Sequence, residues 1–317
     1  MEENKRKNFS DALEKYIETY QNYLSKVRKE THKNFPEETN IIIEFINNWI
    51  DIIPVKEGWE EYIHSLQGVL LFHLWKILNW IGYEVLSGKY FEAFRDCRFV
   101  FEASILSVIM EDAIESRVYE KWKNLSPFDL KCEILRLWEK LRDEGVYRKK
   151  DKVDRIIRIK ERVKEHIGKS NLSEEEKKDY LEVYYSILCD ERLGYSIPKM
   201  IEECKGFLPI EDRKEQLLKT WKILNKYTHF TNTFCNIVLD NPDFVFVETM
   251  NENLFKECFR AYFSTMDLFY CILCWRFPKV KEKMKDKVID WWNKNFGLHL
   301  ELTERIVDGE KNGTGDS

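Results

Sequence analysis

Glycine and proline are scarce in this chain, at 12 and 7 of 317 residues. Sandwiches and dinucleotide-binding folds need more of both, whereas long helices need few. The common catalytic signatures are missing too. There is no G-x-x-x-x-G-K-[ST] phosphate loop, no G-x-G-x-x-G, no G-x-S-x-G elbow and no H-E-x-x-H zinc motif. Long uncharged apolar runs are also lacking. Gly68–Leu86 contains His73, Lys76 and Glu84, and Tyr262–Phe277 contains Asp267 and Arg276. A charge near mid-span costs about 2.5–3.5 kcal/mol on insertion scales, so both read as buried helices, not membrane spans. Met1–Asn8 is charged with no apolar stretch behind it, which predicts a cytoplasmic chain. Its eight scattered cysteines are then expected as reduced thiols. The net charge of −5 gives no strong pull toward polyanions for the chain as a whole.

What is present is apolar and aromatic. Hydrophobic residues make up 44 % and aromatics 14 %, with ten tryptophans, enough for a bulky core. Apolar residues recur at helical spacing along most of the chain. The spacing predicts helices over Phe9–Lys29, with Leu13, Ile17, Tyr20, Leu24 and Val27 on one side, and over Glu37–Asp51. A long helix is expected from about Trp59 to Leu86. Another runs from Tyr90 to about Glu120, with a core stripe of Ala93, Phe94, Cys97, Phe101, Ile105 and Val108. Ser126-Pro127 opens an amphipathic helix that Gly145 ends. Ser173 and Glu176 have capping-box spacing for a helix ending near Asp190. Further helices are expected over Ser196–Cys204, Glu211–Phe230, Asn251–Phe277 and Lys279–Asn295. Phe244–Val247 has strand character but no second strand to pair with, so it reads as an extended connector. The fold class is therefore all-α: a multi-helix bundle of about ten helices with no significant sheet. Residues 1–57 are expected to form an N-terminal helical layer on a main domain of 58–300, and 301–317 a mostly disordered tail. The pair Trp291-Trp292 on the last long helix suggests a homo-oligomer.

Two polar stretches stand out. In Arg95–Glu102, Arg98 and Glu102 are four residues apart on one helix and can pair. Their neighbours are Phe99, Val100, Phe101 and Ala103, so the pair is either a buried polar site or a salt bridge at the solvent edge. In Trp221–Thr231, a helix end delivers Asn225, Lys226, Tyr227 and His229 together. The reference pKa of histidine lies near neutrality, which makes His229 a candidate general base. Its alternative role is to meet the free carbonyls of a helix end. Arg98, Glu102 and His229 are thus the catalytic candidates, and Asn225, Lys226 and Tyr227 the binding candidates.

Two further patterns are weaker. Cys271 and Cys274 have CxxC spacing, but a zinc site needs four ligands and no second pair exists, so core packing is expected. No metal or cofactor is implied. Residues 140–165 hold 11 Lys or Arg against 6 Asp or Glu. Their helix, with Val153, Ile156, Ile157, Val163 and Ile167 as its apolar side, offers Lys149–Lys164 either to nucleic acid phosphates or simply to water.

On these residues the chain resembles a family of uncharacterised, mainly archaeal helical proteins. Their pattern is an Arg-Phe-x-x-Glu helix, an Asn/Ser-Lys-Tyr-x-His stretch and a long helix with an Asp that ends at Phe-Pro. Here these are Arg98-Phe-Val-Phe-Glu102, Asn225-Lys-Tyr-Thr-His229 and Asp267 with Phe277-Pro278, within about Leu66–Val280. The resemblance implies a shared fold and site rather than an activity. A fainter resemblance, at Leu86–Ala93 and the helix after it, is to HEPN domains, which include metal-independent ribonucleases and nucleotide-binding relatives. Their nucleases pair a His with an Arg that precedes it, four to six residues lying between them. His229 matches, but the Arg would fall at Lys222, Ile223 or Leu224, so only Arg98 from the other helix could replace it. The leading expectation is a non-enzymatic soluble helical protein that binds a protein or other partner. A HEPN-like ribonuclease or nucleotide-binding protein, and a small-molecule sensor, are the alternatives.

Overall fold

A computed structural model of the chain describes residues 2–52, 65–118, 127–203, 213–228, 250–285, 289 and 299–307. Those residues form twelve α-helices and two 3₁₀ turns, with no strand among them. The helices are α1 (Glu2–Asn34), α2 (Pro36–Ile52), α3 (Leu66–Leu86), α4 (Tyr90–Val118), α5 (Pro127–Asp143), α6 (Lys152–Gly168), α7 (Glu174–Leu188), α8 (Ile197–Glu203), α9 (Lys214–Thr228), α10 (Glu252–Arg276), α11 (Pro278–Met284) and α12 (Glu301–Val307). The 3₁₀ turns are Val146–Arg148 and Glu191–Gly194. The all-α expectation holds, with slightly more helices than the ten expected. Among the described residues no helix is long and apolar enough to cross a membrane.

Helices α4 and α10 form the centre, with α3 packed on both and α9 lying along α4. Every residue of the expected α4 stripe, Ala93 through Val108, is buried. The Asn251 side chain caps α10 by accepting from the Leu254 N–H (3.0 Å). Phe277-Pro278 ends α10 and opens α11 at once. Cys271 and Cys274 lie buried inside α10, where burial pushes both thiols up. The break between α3 and α4 turns on Gly88, whose φ of 77° a side chain would strain. There the Lys89 N–H returns to the Glu84 carbonyl (2.9 Å). Phe35, between α1 and α2, stacks on Phe255 at 4.3 Å and ties the N-terminal helices to α10.

Three local expectations change. Helix α1 starts ahead of the expected Phe9, and Leu13 and Ile17 are exposed while Leu24 and Val27 are buried. Along α6 the buried stripe is Ile159, Val163 and Ile167, and Val153 and Ile157 are 64 % and 48 % exposed. Successive helical residues turn by about 100°, so the two groups lie on different flanks of the cylinder. The Ser173–Glu176 capping box is present as expected. The third change is at the C-terminus, where residues 301–307 of the expected disordered tail form α12. Asp267 of α10 holds it. Its carboxylate accepts from the Leu302 N–H (2.9 Å), the Thr303 N–H (3.0 Å) and the Thr303 hydroxyl (2.8 Å). An acceptor carried by another helix thus satisfies N–H groups that α12 leaves unpaired at its start. The Phe244–Val247 connector, the Trp291-Trp292 pair and the rest of the tail lie outside the described residues.

Removing the Asp267 carboxylate leaves buried donors unmatched. Asp267→Ala should cost about 1–3 kcal/mol in urea unfolding. Limited proteolysis should then cut near residue 300 first, and an unchanged digest would count against the tether.

Glu84 predicts a pH dependence. It is buried near the α3–α4 turn, its Oε2 meets no donor among the described residues, and burial with help from Asp96 pushes its carboxyl from 4.5 up to about 7. The folded state holds this proton more tightly than the unfolded chain does. Its contribution is therefore fully present below about pH 4.5 and lost as pH rises through about 7. Glu84→Gln should flatten the decline in melting temperature across that window, while parallel curves for the two proteins would contradict it.

Candidate functional site

The two polar stretches meet where α4 crosses α9. Glu102 Oε1 accepts from Arg98 Nε (2.8 Å) and from Trp221 Nε1 (3.3 Å). Arg98 Nη1 donates to Thr228 Oγ1 (2.9 Å), whose own hydroxyl donates to the Leu224 carbonyl (2.9 Å). Trp221 and Thr228 are seven apart, two helical turns, and so share one face of α9. The Arg98 and Glu102 side chains are 23 % and 19 % exposed, half-buried and hydrogen-bonded across the helix contact. This is neither of the two sequence alternatives in pure form.

The other α9 residues divide. Asn225 is half-buried, shares the Trp221 face by spacing and makes no side-chain hydrogen bond among the described residues. Tyr227 bridges two neighbours, α4 and α10. Its ring stacks on Phe94 at 4.2 Å and its hydroxyl donates to Glu257 of α10. Lys226 Nζ donates to the Tyr227 hydroxyl (3.0 Å) and lies 3.7 Å from Glu257. Burial and the Glu257 carboxylate push the Tyr227 phenol up, so it cannot serve as a base near neutrality. Lys226 and Tyr227 thus fasten α9 to α10. Of the candidates on this stretch, the position next to Thr228 is His229, which lies outside the described residues.

A cleft opens on the far side of Glu102. It has a volume of about 880 Å³. The floor is the α4 face that carries Phe99, Glu102, Ala103, Leu106, Ser107 and Met110. One wall is α5, with Leu135, Arg136, Trp138, Glu139 and Arg142, followed by Tyr147 and Arg148. The other is the segment 193–200, and His73 of α3 stands at one end. The walls are fastened to each other. Trp138 Nε1 donates to the Leu193 carbonyl (3.2 Å), and the Tyr147 hydroxyl to the Leu188 carbonyl (3.0 Å). Arg192 bridges Asp190 (2.9 Å) and Asp112 of α4. Gly194 lies so near Tyr147 that a Cβ there would stand 3.1 Å from the ring. Lys152 pairs with Glu191, which holds the start of α6 against this wall.

Arg136 and Arg148 are exposed and make no side-chain hydrogen bond or ion pair among the described residues. Arg142 lies over the Trp138 ring, 5.3 Å from its centroid. In sequence these arginines are inconspicuous, because α5 has the spacing of an ordinary amphipathic helix. The signal was Trp138 between Arg136 and Arg142. Trp221 and Thr228 were equally readable from their two-turn spacing. Among the described residues no group of three or more His, Cys, Asp or Glu side chains is placed to hold a metal ion. No protein-family model, curated protein or solved structure matches the chain.

Cutting one member of the α4–α9 network should be felt by its partner. Glu102→Ala should lower stability by about 1–3 kcal/mol, because a half-buried guanidinium loses its carboxylate. In the Arg98→Ala background the same change should cost much less, and equal costs in both backgrounds would mean the pair is not coupled.

Proposed function

We propose that this chain is a non-enzymatic binding protein whose ligand is a small organic molecule held in the α4–α5 cleft. One observation carries the reading: a cleft of about 880 Å³, walled on both sides and mostly apolar, lies against the centre of the fold. Small-molecule sites are concave, apolar and about 300–1,000 Å³ in size, with a few polar groups. This favours the sensor reading over a flat surface for a protein partner. The network beside it supports binding rather than chemistry. Arg98, Glu102, Trp221 and Thr228 use their polar atoms on one another. Membership of the uncharacterised helical family belongs to the same proposal. In its support, two of the motifs pack together and the third supplies Asp267, which holds α12. A cytoplasmic setting belongs to it too, supported by Cys97, Cys258, Cys271 and Cys274, which are buried thiols outside any disulfide among the described residues.

A neutral aromatic probe, N-phenyl-1-naphthylamine, should bind at about one per chain with a rise in fluorescence. Ala103→Trp, which fills the cleft from α4, should weaken it at least tenfold while the thermal melt stays cooperative. Unchanged probe affinity in that variant would sink the cleft as the binding site.

A second reading, a HEPN-like ribonuclease, has one observation in its favour: Arg98 Nη1 sits on Thr228, the residue before His229. Mixed RNA incubated with the protein and with His229→Ala decides it. The binding reading expects no difference, and cleavage lost only in the variant would replace it with the nuclease.

A further inference from the structure

We propose that the ligand of the cleft is a nucleoside phosphate, with its phosphate on the arginine wall and its ring against Phe99. This rests on the cleft being the binding site. The ionisable side chains lining the cleft are Arg136, Arg142, Arg148, Glu102, Glu139 and His73. Glu102 is already matched by Arg98, which lies outside the lining. Three guanidinium groups then face one unmatched carboxylate, and about two positive charges are left uncompensated before His73 is counted. A carboxylate ligand would supply one negative charge. A phosphate monoester carries about −1.5 to −2 near neutral pH and has three acceptor oxygens. Arginine forks match that geometry.

The second part is the ring. Phe99 is 50 % exposed at the cleft floor, with His73 edge-on to it at 6.4 Å. Tyr195 across the cleft already has Lys199 Nζ over its ring at 3.8 Å. Trp138, under Arg142, and Tyr147 are both buried, so Phe99 is the exposed lining ring that a planar ligand can cover. Bases stack on such rings with little regard to identity. Leu106, Met110 and Met200, which line the same cleft, suit the apolar body of a ring system and offer no polar code for one particular base.

The phosphate could come from a free nucleotide or from the end of an RNA strand. The chemistry in the cleft is the same for both. The surroundings separate them, because Arg148 leads through Lys149 and Lys150 onto α6, where Lys160 and Lys164 are exposed. A strand leaving the cleft would run along those lysines.

The test uses the full chain and calorimetry at near-physiological salt. The titrants are AMP, GMP, CMP, UMP, the matching nucleosides, inorganic phosphate and a 5′-phosphorylated hexanucleotide. At least one monophosphate should displace the neutral naphthylamine and bind ten or more times more tightly than its nucleoside and than inorganic phosphate. In Arg136→Gln/Arg142→Gln the preference for monophosphate over nucleoside should shrink toward one, and Phe99→Ala should weaken both ligands together. If the neutral probe binds but no monophosphate displaces it, this inference is overturned and the binding reading stands. If the probe itself does not bind, the binding reading fails first. A preference that survives the arginine double variant, or inorganic phosphate binding as tightly as the nucleotides, also overturns the proposal. A hexanucleotide bound tenfold more tightly than the monophosphate, and weakened by Lys160→Gln/Lys164→Gln, would identify a strand end as the source. Equal affinity would identify a free nucleotide. Either result supports the site.

Discussion

The constraint on which the rest depends is that one helix, α4, has no side to spare. Phe94, Cys97, Phe101 and Ile105 face the packed core shared with α3 and α10. Arg98 and Glu102 lie on the flank that meets α9. Phe99, Ala103, Leu106 and Met110 take the remaining arc and floor the cleft. At about 100° per residue these three groups fall into three adjacent sectors. Glu102 stands on the border between the second and the third. It ends the α9 contact and begins the cleft wall, so the position of α9 and the shape of the cleft are set by the same side chain.

Elsewhere the helices are fixed by polar groups reaching from one element to another. Asp267 holds the start of α12, Arg192 ties the wall of the cleft to Asp112 of α4, and Glu257 holds Tyr227 of α9. Helices short of about a dozen residues are marginal alone, and α12 has only seven. Its order comes from α10. Burying Asp267 raises its carboxyl to about 6 even with those donors in place, so the tether carries a desolvation cost that the hydrogen bonds offset.

Much of this was legible from the residues. Periodicity gave the helices, because a core stripe must repeat at 3.6 residues wherever it lies. The α4 stripe is buried as its spacing predicts, and Arg98 and Glu102 pair as their separation predicts. What spacing cannot give is roll. Val153 and Ile157 of α6 have the right period, yet they belong to the open flank, because Ile159, Val163 and Ile167 are the ones that meet the neighbours. Nor does it give partners distant in the chain. Nothing near Asp267 announces Leu302 and Thr303, and nothing near Arg98 announces Thr228. Tyr227 and Thr228 are neighbours in sequence, but a 100° step per residue wedges the Tyr227 ring against Phe94 of α4 with its hydroxyl on α10, while Thr228 reaches Arg98.

The same geometry explains why the polar pair and the cleft are separate devices. A charge pair at a helix crossing is strengthened by partial desolvation only if both members are fully engaged. Here the guanidinium reaches Glu102 and Thr228, and the carboxylate receives Arg98 and Trp221. Groups so engaged fix the register of α9 on α4 and have little left for a ligand. Arg136 and Arg148 are in the opposite condition, exposed on the cleft wall without an ion pair among the described residues. A protein that needed those charges only for solubility could carry them anywhere on its surface. Gathering them with Arg142 around one concave apolar floor concentrates positive potential where low-dielectric walls make it most effective. The network orders the helices, and the unengaged arginines are what the ordered helices present.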